Sequence, residues 1–160
     1  MIKTINNILT VTELEYLHFK CKNFIKNNET IPDGKLWFYN SMHLDENELI
    51  ELRSRVSDIV GENYEIQSNG IFINKITPET NLNDYYHVDS CDLTIVIYLN
   101  DNFEGGEFEY IQQNETHKIK PYTNLSIMMD REIPHRALSI QNGERYSLII
   151  WFKLTKKPFL

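Results

Sequence analysis

The chain has little cysteine, only Cys21 and Cys91 in 160 residues, so no disulfide framework staples it and a reduced compartment is expected. It is also short of positive charge, with 16 lysines and arginines against 23 aspartates and glutamates and a net charge of −7. The basic residues that fall close together, Lys156-Lys157 and Arg53 with Arg55, make no extended patch for nucleic acid. No run is long and apolar enough to span a membrane, and Met1-Ile2-Lys3-Thr4 starts no signal peptide. These absences predict a cytoplasmic protein that binds neither nucleic acid nor membrane. Internal repeats and low-complexity segments are lacking too, which predicts one domain over residues 1–160. With 41% apolar and 24% charged residues, the chain can build a sizeable core unaided.

Helical signals come first. After an extended lead-in over 1–11, Thr12-Glu13-Leu14-Glu15 reads as a capping box, with Val11 and Tyr16 as its hydrophobic staple. Leu14, Leu17, Cys21, Phe24 and Ile25 follow at helical spacing. Cys21 and His18 on this helix are assigned structural roles. Ile31-Pro32-Asp33-Gly34 reads as a turn before a strand at Lys35–Tyr39. A second helix is predicted from Asp45, with Glu48 at its third position, an apolar face of Leu49, Leu52, Val56, Ile59 and Val60, and Gly61 as the stop. His43 is placed in the loop before it.

From Tyr64 the spacing is that of strands. Tyr64–Gln67 and Ile71–Ile76 flank Ser68-Asn69-Gly70 as a hairpin would. Thr77 to Asp84 is a polar loop, and the β-branched run Leu93–Leu99 reads as a central strand. Strands at Glu107–Ile111, Leu125–Met129 and Arg145–Phe152 complete seven or eight. The predicted fold is mainly β with N-terminal helices, a double-stranded β-helix or jelly roll. Its helical support covers about 12–60 and its core about 64–153.

One stretch carries chemistry. In a strand, residues two apart share a face, so His87 and Asp89 of Tyr86-His87-Val88-Asp89 can aim at one point. His135, 46 residues later (135 − 89), is the candidate third ligand. Two histidines and one carboxylate on one side of a metal, with open positions opposite, suit non-haem Fe(II) oxygenases. Arg145 is a natural partner for the far carboxylate of a dicarboxylate cosubstrate, and Thr94, Tyr98 and Ser147 can add hydroxyl groups. Ile73, Val96, Phe108 and Trp151 are predicted to line the cavity, with Tyr86 and Trp151 on its substrate side. His117 is expected in an exposed hairpin, and Asp92, Glu107 and Glu109 as surface charges.

Over about residues 71–152 the sequence resembles the 2-oxoglutarate/Fe(II)-dependent dioxygenases, in particular the prolyl 4-hydroxylase-like family. The resemblance is carried by His87-Val88-Asp89, Thr94-x-x-x-Tyr98-Leu99-Asn100, Phe103-Glu104-Gly105-Gly106-Glu107-Phe108, Pro121, His135-Arg136, Gly143-Glu144-Arg145-Tyr146-Ser147-Leu148 and Trp151-Phe152. It implies Fe(II) at His87, Asp89 and His135, and 2-oxoglutarate held by Arg145 and Tyr98 with Thr94 beside it. Ascorbate would be a supporting reductant. The implied reaction uses dioxygen to hydroxylate prolyl residues of a peptide or protein. Two readings stand beside it: an oxygenase of free amino acids or other small molecules, and a metal-binding jelly-roll module without catalysis. The chain departs from the family where Lys75-Ile76-Thr77-Pro78 replaces a Tyr-x-x-Gly-like loop, and where Met128-Met129-Asp130 replaces a phenylalanine-containing strand. With no appended domain expected, substrate recognition is assigned to loops near 77–86 and to Lys35–Asn40.

Overall fold

A computed structural model describes residues 1–24, 41–80, 82 and 85–155. Ile25, the turn at Ile31–Gly34, the strand at Lys35–Tyr39, part of the 77–86 loop and Lys156-Lys157 lie outside these residues. The elements are β1 (Ile2–Asn6), α1 (Val11–Lys22), β2 (Ser41–His43), α2 (Ile50–Val60), β3 (Tyr64–Ile76), β4 (Leu93–Tyr98), β5 (Glu104–Gly105) and β6 (Phe108–Gln112). They continue with β7 (Glu115–Ile119), β8 (Leu125–Asp130), β9 (His135–Ala137), β10 (Ile140–Asn142) and β11 (Arg145–Leu154).

All six residues of β4 are buried, because β4 lies inside a sheet covered on both faces. That sheet has six strands in the order β1-β8-β4-β11-β3-β2, and its pairings are antiparallel. Alternation sends Ile95, Ile97, Leu148, Ile150 and Phe152 to one side, where they pack with Leu17, Leu52 and Val56 of the two helices. The other side carries Val96, Tyr98, Leu125, Ile127 and Met129 and meets Phe108 of the smaller sheet β7-β6-β9. A further pair, β10-β5, extends this second layer. The site lies between the layers, as a jelly roll requires. No described helix is long and apolar enough to cross a membrane.

Several local expectations are corrected. The capping box of α1 lies two residues earlier: Thr10 caps the helix, the Glu13 carboxylate accepts from the Thr10 amide at 2.9 Å, and the Glu13 amide donates to Thr10 Oγ1 at 3.2 Å. Both frames satisfy the sequence pattern, and tertiary contacts choose between them. Asn124 exchanges hydrogen bonds with the backbone of Leu9, and Arg55 of α2 donates to Glu13 and to the Ile8 carbonyl. Val11, 75% exposed, staples nothing. Asp45 and Glu48 form a capped turn of their own, and α2 begins only at Ile50.

The Ser68-Asn69-Gly70 turn signal makes a bulge, not a hairpin. Strand β3 runs on through it, Ile71 pairing with Ile150 and Ile66 with Phe152. A Cβ at Gly70 would lie 2.9 Å from the Trp151 carbonyl oxygen, so the close approach selects glycine. Ile73 faces the helices and does not line the cavity. His43 belongs to β2 instead of a loop, and His117 belongs to β7, stacked on Tyr110 at 5.0 Å. His18 is structural as expected, its Nε2 bonding the Leu99 carbonyl at 2.6 Å.

Burial alone would raise the Glu13 carboxyl, but hydrogen bonds from Arg55 and Thr10 outweigh it and hold the group below its ordinary value of 4.5. A depressed folded-state value means stabilisation that is present above the unfolded value and lost as pH falls through the folded one. Glu13→Gln is therefore expected to cost about 1 kcal/mol at pH 7. Urea melts of the two proteins should converge as pH falls below the depressed folded-state value of Glu13.

Candidate functional site

Each of the three expected metal ligands is set by a different constraint. His135 opens β9, where Phe108 stacks on its ring at 5.4 Å and 19°. Its Nδ1 lies 2.9 Å from the Ile133 carbonyl, which can only accept, so Nδ1 carries the proton and Nε2 is left for a metal. His87 belongs to no strand, yet its amide donates to the His135 carbonyl at 3.0 Å and its carbonyl accepts from the His135 amide at 2.9 Å. Asp89 turns Oδ2 to the Thr94 hydroxyl at 2.6 Å. Its Oδ1 stands 3.4 Å from His135 Nε2 and 3.7 Å from His87 Nε2.

Ligand atoms from the three residues all lie within 4.8 Å of one another. Two imidazoles and one carboxylate converging from one side suit Fe(II) with positions left open. Burial would push the Asp89 carboxyl up, but His135 and Thr94 outweigh it and hold Asp89 below the usual carboxylate range. Burial lowers His87, assisted by His135 and opposed by Asp89. In His135 burial acts downward, and the Asp89 and Ile133 bonds override it to raise the ring's basicity.

On the same face of the large sheet, β11 presents Arg145, Ser147, Ile149 and Trp151 in alternation. Ser147 pairs across to Tyr98 and Trp151 to Thr94. Arg145 is 6% exposed and donates Nη1 to the Gly106 carbonyl at 2.8 Å. Its Nε and the Ser147 hydroxyl have no hydrogen-bond partner among the described residues. The guanidinium carbon lies 5.6 Å from the Tyr98 ring centre. Burial lowers the Arg145 basicity and raises the Tyr98 phenol, the two opposing each other's shift. Gly106, at φ +69°, reaches this point because a Cβ would sit 2.3 Å from Ile140 Cδ1.

The other predicted residues have partners within the protein. The Thr94 hydroxyl serves Asp89, and it also lies 3.1 Å from Cys91 Sγ. Tyr86 directs its hydroxyl to Glu109 at 2.6 Å. Trp151 meets Phe72 edge-on at 5.0 Å, and Phe72 meets His43 at 5.5 Å, an aromatic wall on the site's face. Two polar residues there were not anticipated, Asn74 and Ser41, both buried and joined at 3.4 Å. Asn74 sits directly opposite Ser147 in the sheet. Its signal was a lone amide inside the apolar run Ile71–Ile76. Glu109, expected on the surface, is 4% exposed.

Residues 79–153 match the sequence model of the 2OG-Fe(II) oxygenase superfamily. Among solved structures, similar folds include a Pseudomonas putida prolyl-4-hydroxylase (TM-score 0.69, 18% identity, 95% of this chain and 92% of that one). A Trichoplax adhaerens prolyl hydroxylase in complex with a hypoxia inducible factor peptide fragment gives TM-score 0.72 at 18% identity, covering 95% of this chain and 83% of that one. HygX of Streptomyces hygroscopicus, with nickel, 2-oxoglutarate and hygromycin B bound, gives 0.71 at 11% identity, covering 96% and 83%. The fold is that of the 2OG-Fe(II) oxygenases, a double-stranded β-helix. Over part of its length the chain also resembles prolyl hydroxylases in sequence. Prolyl 3-hydroxylase 2 of Rattus norvegicus and of Homo sapiens are each 34% identical over 68 residues, 39% of this chain. The chain spans about a tenth of the length of these curated relatives (10%).

Proposed function

We propose that the protein is a 2-oxoglutarate-dependent Fe(II) oxygenase that hydroxylates prolyl residues in a peptide or protein. The observation that carries this reading is Arg145: a buried cation with no carboxylate partner among the described residues, on the same sheet face as the ligand set. A buried charge without a counter-charge is costly. A dicarboxylate entering between metal and arginine would relieve that cost at one end while chelating at the other.

With Fe(II) held by His87, Asp89 and His135, the centre supplies the oxidising chemistry by which 2-oxoglutarate becomes succinate and CO2 and one oxygen atom of O2 enters a substrate C–H bond. The protein's residues do the rest. Thr94 fixes Asp89 so that Oδ1 faces the metal position. Arg145 receives the distal carboxylate, with Ser147 and Tyr98 hydroxyls at hand. Val96, Ile127, Met129 and Phe108 keep water from the site. The prolyl substrate is supported by the resemblance to prolyl 3-hydroxylase 2 and to the peptide-bound Trichoplax enzyme.

Incubation with Fe(II), 2-oxoglutarate and a set of proline-containing peptides is expected to yield succinate and a peptide heavier by one oxygen on proline. Oxygen transfer to free amino acids or other small molecules, with every peptide unchanged, would overturn the prolyl reading and retain the oxygenase.

A further inference from the structure

Outside the ligand set lies a second polar cluster that the reaction does not use. Glu109, on β6, accepts from the Tyr86 hydroxyl at 2.6 Å and from Arg136 Nε and Nη2, each at 2.7 Å. The Arg136 guanidinium also stacks 4.6 Å from the centre of the Tyr86 ring. Tyr86 immediately precedes His87, and Arg136 immediately follows His135. One nearly inaccessible carboxylate therefore ties together the two segments that carry the histidines.

His87 has need of such a tie. It stands outside any named strand and its side chain is 54% exposed. Inside the site its segment is held by the reciprocal backbone bonds to His135 and, at Asp89, by Thr94. Neither contact fixes the residue on the N-terminal side of His87. The Tyr86–Glu109 bond does. Alternation places Tyr110 and His135 on the cavity side of the small sheet and their neighbours Glu109 and Arg136 on its outer side. The cluster thus acts on the ligands from behind, without touching a metal.

We infer that Glu109 is a positioning residue: through Tyr86 and Arg136 it clamps the His87 and His135 segments at metal-binding distance and so sets metal affinity. This rests on the metal-site reading given above. Groups that orient metal ligands from outside the coordination sphere typically account for about 10–100-fold in affinity. A buried carboxylate accepting several charged or hydroxyl donors is strong enough to do so.

The test is anaerobic Co(II) titration of the whole chain without 2-oxoglutarate, with melting of the metal-free protein measured in parallel. Glu109→Gln is expected to weaken Co(II) binding about tenfold. Tyr86→Phe, which removes only one hydroxyl and keeps the ring, should weaken it about threefold in the wild-type background and by less in the Glu109→Gln background, where the remaining bond is to a neutral amide oxygen. That non-additivity and the changed affinity are readouts that simple sheet packing would not move. If both variants bind Co(II) as tightly as the wild type, whatever their melting temperatures, the clamp is overturned. Should Glu109→Gln fail to fold, Tyr86→Phe alone decides by the same criterion. A wild-type protein that takes up no Co(II) would overturn the metal-site reading itself, and the clamp with it.

Discussion

Arg145→Met is expected to abolish the response to 2-oxoglutarate while making the ligand-free protein more stable. The two effects have one cause. Arg145 is 6% exposed, no carboxylate pairs with it among the described residues, and its Nε is unsatisfied. Among the described residues its one hydrogen bond runs to the Gly106 carbonyl. Burial lowers its basicity, with Tyr98 opposing. Methionine fills similar volume without a charge or an unmet donor, so ligand-free stability should rise by about 1–3 kcal/mol. Loss of the charged anchor should weaken 2-oxoglutarate binding by at least about 100-fold. Urea denaturation and a 2-oxoglutarate titration of metal-loaded protein measure the two effects separately. A variant that is less stable and still binds 2-oxoglutarate normally would show that the arginine is structural.

Asp89→Asn isolates charge from shape and should be nearly as severe. The amide oxygen can still accept from Thr94, so the backbone path of 86–89 is expected to survive. What disappears is the only anionic ligand of the set, and with it the interaction that overrides burial in His135. Metal affinity should fall by at least about 100-fold, above the effect of an outer-shell partner, with a near-unchanged melting temperature for the metal-free protein. Direct metal titration and thermal melts check both halves.

The architecture was legible because the patterns were unambiguous in period. The β-branched run Leu93–Leu99 reads as a central strand, and Leu93–Tyr98 is the sheet's fully buried interior strand. His87, Asp89 and His135 converge although His87 and Asp89 lie in no named strand; the backbone bridge between the two histidines, not strand alternation, brings them together. Local frames were less legible. Two overlapping Thr-x-x-Glu patterns compete at the start of α1, and only Asn124 and Arg55, distant in sequence, decide between them. Ser68-Asn69-Gly70 is a true turn signal that a through-running partner strand converts to a bulge. Glu109 looked like any charge on an alternating strand. The partners that bind it, Tyr86 and Arg136, arrive from segments 23 and 27 residues away, and Lys118 of β7 pairs with its other oxygen at 3.5 Å.

The central claim is that one cavity holds Fe(II) and 2-oxoglutarate together. Its most direct test is anaerobic titration of the purified protein with Fe(II) and 2-oxoglutarate, followed by visible absorption. A metal-to-ligand charge-transfer band is expected only when both are present, absent in His87→Ala and in Arg145→Met at moderate 2-oxoglutarate. Folded protein that binds Fe(II) stoichiometrically but develops no band on adding 2-oxoglutarate would contradict the oxygenase and leave a metal-binding jelly roll.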